Sequence, residues 1–346
     1  MSRTPIMMGK LKVQFVERKF DYFVSVENVF RRVSEGLDPK EFETDFQQLP
    51  YPNTLTGMLR NLVFFRPNIG PDVFHVTGHC HYIALVLPRD KTVLTIHDLG
   101  FLHTRYGLRR WALKKLLLDL PARRLKYITV ISEATRDEIE QTVPSARGKV
   151  RVIDNPLDDR FEVSERREFN QTEPRILQVG TAPNKNVENL VRAVSGLSCV
   201  LVLIGEVDED LRSLLSEGRV RYEVRSQLTP EQLRKEYDEC DIVAFCSTYE
   251  GFGLPVIEGQ AMRRPVVTSD LRPMREVAGD GGAVLVDPRD PADIRKGIET
   301  LICDPSFRER LVENGTRNVA RFDKGLIASR YAELYREVAG VDRRSP

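Results

Sequence analysis

Eleven short β-branched runs punctuate this chain, and most are apolar throughout rather than at every second position. KVQFV (12–16), DVFHVT (72–77), TVLTIHD (92–98), YITVIS (127–132) and KVRVID (149–154) fall in the first half. RILQVG (175–180), CVLVLIG (199–205), RVRYEV (219–224), DIVAFC (241–246), PVVTS (265–269) and AVLVD (283–287) fall in the second. A strand covered on one face alternates, whereas a strand covered on both does not, so these runs imply parallel sheets flanked by helices. Helical patterns separate them in both halves, which makes the chain α/β with two doubly wound, Rossmann-like units. The polar stretch FEVSERREFNQTEP (161–174) has no apolar period and is read as the linker, giving domains at 1–165 and 166–346. Two such domains facing each other would share a cleft at the carboxyl ends of their strands, where open α/β sheets bind ligands. The last helical pattern, about 324–338, carries apolar and aromatic residues at helical spacing. It is expected to pack, back toward the N-terminal domain.

Composition excludes several classes. With 52 basic against 51 acidic residues, the chain lacks the broad basic excess of a general nucleic-acid binder. A hydrophobic fraction of 41% with 30% charged residues excludes wholesale disorder. The five cysteines form no CxxC, so neither a disulfide framework nor a zinc site is indicated. His79-Cys80-His81 alternates across a strand without a third ligand, and Asp208-Glu209-Asp210 reads as an acidic helix start rather than a metal site. No metal is expected. The N-terminal residues lack a signal-peptide pattern and no apolar run approaches the ~18 residues of a membrane span. A reducing, cytoplasmic location is the expectation.

The most informative segment is Ser247-Thr248-Tyr249-Glu250-Gly251-Phe252-Gly253-Leu254-Pro255-Val256-Ile257-Glu258. It follows the buried run DIVAFC, carries two glycines, and places Pro255 where a first helical turn tolerates it. Gly251 and Gly253 let the backbone approach a ligand and present N–H groups, and the following helix N-terminus favours anions. Glu250 and Glu258 stand on either side of that turn, with carboxylates suited to accept hydrogen bonds from sugar hydroxyls. Polyol, diphosphate, polyol is the order of groups in a nucleoside-diphosphate sugar.

This segment resembles the E-x7-E signature of the retaining glycosyltransferases of family 4, which have the GT-B fold. Ile96-His97-Asp98, the run Val130 to Thr135, Val179-Gly180-Thr181 with Lys185-Asn186, Arg275-Glu276-Val277 and Asp287-Pro288 extend the likeness over most of residues 72 to 340. The resemblance implies transfer of a sugar, guessed as mannose- or glucose-type, from a nucleoside-diphosphate sugar to a glycan or lipid-linked acceptor. The expected setting is cell-surface polysaccharide synthesis. Glu258 would bind the ribose hydroxyls and Glu250 the transferred sugar. Backbone groups of Gly251, Phe252, Gly253 and Leu254 would flank the phosphates, beside Gly180 and Thr181. Lys185 would meet the diphosphate, where cations stabilise the departing oxyanion. Val224 or Arg225 would read the base. His97 either hydrogen-bonds the donor sugar or leaving group, or donates to a backbone carbonyl beside a helix-capping Asp98. The acceptor side is assigned to Arg18, Ser25, Gly78 and Asp98. No cofactor beyond the sugar nucleotide is implied.

The chain departs from the family in three places. Glu17 to Glu27 replaces the usual Gly-Gly loop, where Ser25 can cap a helix and Arg18 or Lys19 can supply charge. Thr181 stands where an arginine is common, and Arg263-Arg264 replaces small residues before Pro265. Alternatives are a GT-B epimerase or phosphorylase, or a catalytically weak sugar-nucleotide-binding partner subunit. Residues Arg105 to Lys126 hold eight basic residues against Asp119 alone. At about 100° per residue, Leu113, Leu116, Leu117 and Leu120 share one face of a continuous helix, with Trp111, Lys114, Lys115 and Leu118 opposite. That second face suits either an anionic membrane surface, making the protein peripheral at the inner face, or a helix packed on two sides.

Overall fold

Twelve parallel strands in two sheets organise the chain. The computed structural model describes residues 9–19, 25–68, 70–161 and 168–341, the side chains of residues 25–27 excepted. The first sheet comprises β1 (Leu11–Glu17), β2 (Phe42–Gln48), β3 (Val73–Val76), β4 (Thr92–Ile96), β5 (Tyr127–Val130) and β6 (Val150–Val152), in the order β2-β1-β3-β4-β5-β6. The second comprises β7 (Arg175–Val179), β8 (Val200–Ile204), β9 (Arg221–Arg225), β10 (Ile242–Phe245), β11 (Val266–Ser269) and β12 (Val284–Val286), in the order β12-β11-β10-β7-β8-β9. Every ladder is parallel, so each connection crosses over a face of its sheet. The order of winding reverses between β1 and β3 in one sheet and between β7 and β10 in the other. Those are the points where doubly wound sheets open a ligand crevice.

One strand escaped the sequence pattern. β2, FETDFQQ, is largely polar, yet pairs along its whole length with β1, from Leu11↔Phe42 to Glu17↔Gln48. It is an edge strand, so only Phe42 and part of Phe46 need burial, and Phe46 stacks on Phe15 at 4.7 Å.

The described residues form two units, one running to Pro156 and resuming at Lys324, the other spanning Leu157–Asp323. The first unit therefore contains the closing helix Lys324–Val338. That helix buries Ile327, Tyr331 and Tyr335 in one cluster with Phe15, Phe30 and Val33. Helix Ser25–Gly36 lies so close to it that a Cβ on Gly36 would sit 2.7 Å from Ala328 Cβ. Arg336 holds Glu41 through paired bonds of 2.7 and 2.8 Å, and Arg151 binds Glu337 through two of 2.7 Å. Apolar burial supplies the attraction, and these bidentate pairs fix the register.

The basic segment is not one continuous helix. It runs as helix Gly107–Lys114, a π-helical turn Lys115–Asp119, and helix Leu120–Arg124. A π turn inserts one residue and rotates everything after it by roughly 100°. Leu118, expected opposite the core face, is therefore 1% exposed, while Leu120, expected inward, is 43% exposed. Lys114 and Lys115, expected on the outer face, both turn to buried Asp119, at 2.8 and 2.9 Å. Helix Gly107–Lys114 itself buries no residue, and Tyr106, Leu108 and Trp111 beside Arg105, Arg109 and Arg110 stand in solvent. Among the described residues no helix is long and apolar enough to cross a membrane.

Candidate functional site

The loops after β7 and β10 meet at the second sheet's switch point and are stitched together by backbone and amide groups. Thr248 N–H donates to Asn184 O at 2.9 Å, and Asn186 Nδ2 donates to Cys246 O at 2.9 Å. Asn186 sits in the left-handed region (φ 57), a conformation asparagine tolerates, which lets the chain turn from Lys185 into helix Val187–Val194. Gly180, at φ 88, also needs its missing side chain, because a Cβ there would lie 3.0 Å from Lys185 Cε. The lysine stem crosses the strand end over that glycine.

Lys185 does not stand alone. Its Nζ lies 2.7 Å from Glu250 Oε1, and Asn184 Nδ2 donates to the same oxygen at 3.2 Å and to Tyr249 O at 3.0 Å. The ammonium also faces the Phe245 ring, 4.7 Å from its centroid. The two side chains are only 21% and 13% exposed, so the pair is screened far less than a surface one. The sequence motif directs the lysine toward a diphosphate and Glu250 toward a sugar; in the structure each is the other's partner.

After Glu250 the chain turns through Gly251 and buried Phe252, whose ring meets Phe322 edge-on at 5.6 Å. Gly253 is the cap residue of helix Leu254–Ala261 at φ 109, a conformation that glycine adopts without strain. Pro255 falls in the first helical turn. Glu258, one turn on, is 9% exposed, and its Oε2 accepts a 2.6 Å hydrogen bond from the Tyr237 hydroxyl. Burial and this carboxylate push the Tyr237 phenol well up, so it stays a donor. Thr181 packs on the turn after β8, where a Cβ on Gly205 would lie 2.5 Å from Thr181 Oγ1. Val224 and Arg225 end β9. The Arg225 guanidinium binds Glu223 at 2.6 Å and approaches Glu236 at 3.4 Å, while Val224 O accepts from its Nη1 at 3.2 Å. Asp208 accepts from Leu211 N as a helix cap, as its place before LRSLL implied.

In the first unit, His97 follows β4 and is 3% exposed. Its Nε2 lies 2.7 Å from Thr77 O; a carbonyl only accepts, so Nε2 carries the proton and Nδ1 the lone pair. Burial, then the charge of His79, lowers its pKa to about 4. It is a neutral imidazole at pH 7. The backbone-carbonyl partner, the plainer of the two roles the sequence allows, is thus present at one nitrogen, leaving Nδ1 as an acceptor. Asp98 Oδ1 accepts from Gly100 N–H at 2.8 Å in the turn before helix Gly100–His103, whose cap residue is Leu99 rather than Asp98. Gly78 bends the chain after β3, its carbonyl accepting from Cys80 N at 2.7 Å. Arg18 follows β1 and is close enough for its charge to oppose protonation of His97. Ser25 stands first in helix Ser25–Gly36; its side chain, with all of Phe20 to Val24, lies outside the described residues. Among the described residues no group of three or more His, Cys, Asp or Glu could hold a metal ion.

Sequence reasoning missed Asn184 and Tyr237. Asn184 could have been read from its place beside Lys185, whereas Tyr237 sits in the polar helical run PEQLRKEYDE with nothing local to mark it.

Two doubly wound sheets, each with its switch point, and a glycine turn flanked by two carboxylates define the GT-B class. A family model described as Glycosyl transferases group 1 matches residues 159–318, and one described as Glycosyltransferase Family 4 matches residues 26–161. The chain belongs to the family-4 glycosyltransferases. It is 28% identical over 292 residues to a serotype-specific mannosyltransferase WbdA of Escherichia coli, covering 74% of this chain. It spans only 35% of that relative's length. Sucrose-phosphate synthase from Thermosynechococcus elongatus shares the fold, with a TM-score of 0.76 at 18% identity over 96% of this chain and 100% of that one. So does Anabaena HepE in complex with UDP and glucose, with a TM-score of 0.74 at 16% identity over 94% and 100%.

Proposed function

We propose that this protein is a hexosyltransferase that moves a mannose- or glucose-type sugar from a nucleoside-diphosphate sugar to a glycan or lipid-linked acceptor, in cell-surface polysaccharide synthesis. The observation that carries the reading is the Lys185–Glu250 pair at the β7–β10 switch point, with buried Glu258 one helical turn beyond the glycine turn. A cation, a helix N-terminus and two carboxylates occur there in the order of a nucleoside-diphosphate sugar's own groups. The likeness to a mannosyltransferase and to a protein solved with UDP and glucose supports the same donor class.

In the proposed reaction the bond from the anomeric carbon to the β-phosphate oxygen breaks. The acceptor hydroxyl oxygen bonds to that carbon on the same face, and its proton passes to the departing phosphate. Lys185 and the amides after Glu250 stabilise the charge left on that phosphate. Glu258 takes the ribose hydroxyls, oriented by Tyr237. Glu250 takes sugar hydroxyls. Within the first unit, neutral His97 presents Nδ1 as an acceptor for a substrate hydroxyl. No metal or other cofactor takes part. The acceptor side is formed by residues after β1, β3 and β4, including Arg18, Gly78 and Asp98.

The exposed residues Tyr106, Leu108 and Trp111, set among Arg105, Arg109 and Arg110, suit peripheral contact with an anionic membrane surface, where a lipid-linked acceptor would lie. Radiolabelled sugar transfer tests the assignment: Glu250→Ala and His97→Ala should each cut transfer by about 100-fold or more. Full activity in both variants would overturn the roles of Glu250 and His97.

A further inference from the structure

The helix Leu55–Phe64 faces the wrong way for an ordinary surface helix. Leu55 is 70% exposed, Leu59 56%, and Val63 and Phe64 59% each, while its buried positions are Gly57, Met58 and Asn61. At about 100° per residue, Leu55, Leu59 and Val63 fall within about 80° of one another, away from the buried positions. The orientation is locked from beneath. Asn61 Nδ2 donates to Tyr51 O and to Tyr82 Oη, both at 2.8 Å, and its Oδ1 accepts from Tyr51 N at 3.1 Å. Gly57 presses against the preceding turn, where a Cβ would lie 2.0 Å from Pro52 O. The helix cannot roll its leucines inward without breaking a buried amide network.

Along the chain the charge flanking the stripe has one sign, the exposed Asp45 carboxylate lying beyond it against Asn68 at 2.7 Å. No Asp or Glu occurs from Phe46 to Pro71, while Arg60 is exposed on the helix and Arg66 folds over its last turn, donating to Val63 O at 2.7 Å and Phe65 O at 2.9 Å. The segment Leu99–Leu118 is likewise free of acidic residues. The two regions adjoin: this helix and the π turn Lys115–Asp119 both pack on the short helix His81–Leu85. A second copy of the chain would set arginine against arginine, and a ten-residue helix face falls well short of the ~800 Å² per partner that a stable interface buries.

We infer that helix Leu55–Phe64 is a second membrane contact, its apolar stripe seated at the boundary between headgroups and acyl chains of an anionic bilayer and Arg60 and Arg66 at the headgroup phosphates. The inference rests on the membrane reading of Arg105–Lys126 and extends it from one helix to a two-point footing, which would fix the first unit's orientation on the surface.

The chain contains one tryptophan, Trp111, and this makes the two contacts separable. Emission of the wild type reports the first contact, and emission of Leu59→Trp/Trp111→Phe reports the second, on phosphatidylcholine vesicles with and without phosphatidylglycerol. We expect both to shift to the blue, and to be quenched by brominated acyl chains, only when phosphatidylglycerol is present. Leu59→Glu/Val63→Glu should weaken vesicle binding at least about tenfold while leaving the sugar-nucleotide thermal shift intact. A wild-type shift without one in Leu59→Trp/Trp111→Phe would overturn the second contact and leave the first standing. No shift in either would overturn both, and a shift in the variant alone would move the footing to this helix.

Discussion

Glu250→Gln should make the protein bind free nucleoside diphosphate more tightly while binding the sugar nucleotide no better. Without ligand, Glu250 Oε1 holds Lys185 Nζ at 2.7 Å, with both side chains mostly buried. An arriving diphosphate competes with that carboxylate for the ammonium and leaves it beside a second anion. The amide of glutamine still accepts from Lys185, but as a neutral partner. The ammonium keeps its charge, so what is lost is the Coulomb attraction of the carboxylate, and the competitor weakens by about 1 kcal/mol. That corresponds to roughly fivefold tighter binding of the diphosphate. The sugar nucleotide gains nothing comparable, because its hydroxyls lose the charged acceptor that Glu250 provides. In the wild type the same competition would help expel the product diphosphate once the sugar has left. Calorimetric titration of both proteins with nucleoside diphosphate and with the matching sugar nucleotide measures the difference directly. Unchanged or weaker diphosphate binding by Glu250→Gln would refute the reasoning, since the lysine would then not be held back by its carboxylate.

Tyr237→Phe removes the 2.6 Å donor to Glu258 and should cost about 1–2 kcal/mol of stability, with the donor KM raised several-fold and kcat changed less. A larger fall in kcat than rise in KM would argue against a purely orienting role. Gly180→Ala forces a side chain onto φ 88 and against the Lys185 stem, so chemical denaturation should show a loss of about 1–2 kcal/mol, together with weaker donor binding. His81, lowered to about 3, and His97, lowered to about 4, both by burial first, are neutral in the folded state. The stability this gives is complete above the ordinary histidine pKa of 6.5 and is lost as pH falls toward the folded values, at about 1.4 kcal/mol per pH unit for each group. The melting temperature should therefore fall steadily from pH 6.5 to 5; a flat profile would contradict the burial.

What could be read from the chain follows from where the energetics are local. Strands covered on both faces are largely apolar, and all eleven β-branched runs became strands, the edge strand β9 (RYEVR) among them although it is exposed or half-buried. β2 stayed hidden because an edge strand can keep polar side chains in solvent, so FETDFQQ carries no such signature. The glycine turn was legible because backbone conformation and chemistry coincide within twelve residues, from Ser247 to Glu258. The partners of its carboxylates were not, because Lys185 and Tyr237 arrive from other elements through the order of the sheet. The basic segment shows the limit of periodicity. A 3.6-residue repeat cannot foresee a π turn, whose single extra residue exchanged the environments of Leu118 and Leu120. Helix Leu55–Phe64 likewise reads as an ordinary apolar helix until the structure shows which face Asn61 anchors.

The central claim is that the switch-point site of the second unit takes a nucleoside-diphosphate sugar. The most direct measurement is a thermal-shift screen of UDP-, GDP-, ADP- and dTDP-sugars against the wild type and Glu258→Ala. A ligand that binds the native state raises the melting temperature by mass action, by about 2.7 kcal/mol of added stability at a hundredfold excess over Kd. One donor class should raise the wild-type melting temperature by several degrees and lose most of that effect in Glu258→Ala. No shift with any sugar nucleotide, or an equal shift in the variant, would contradict the assignment.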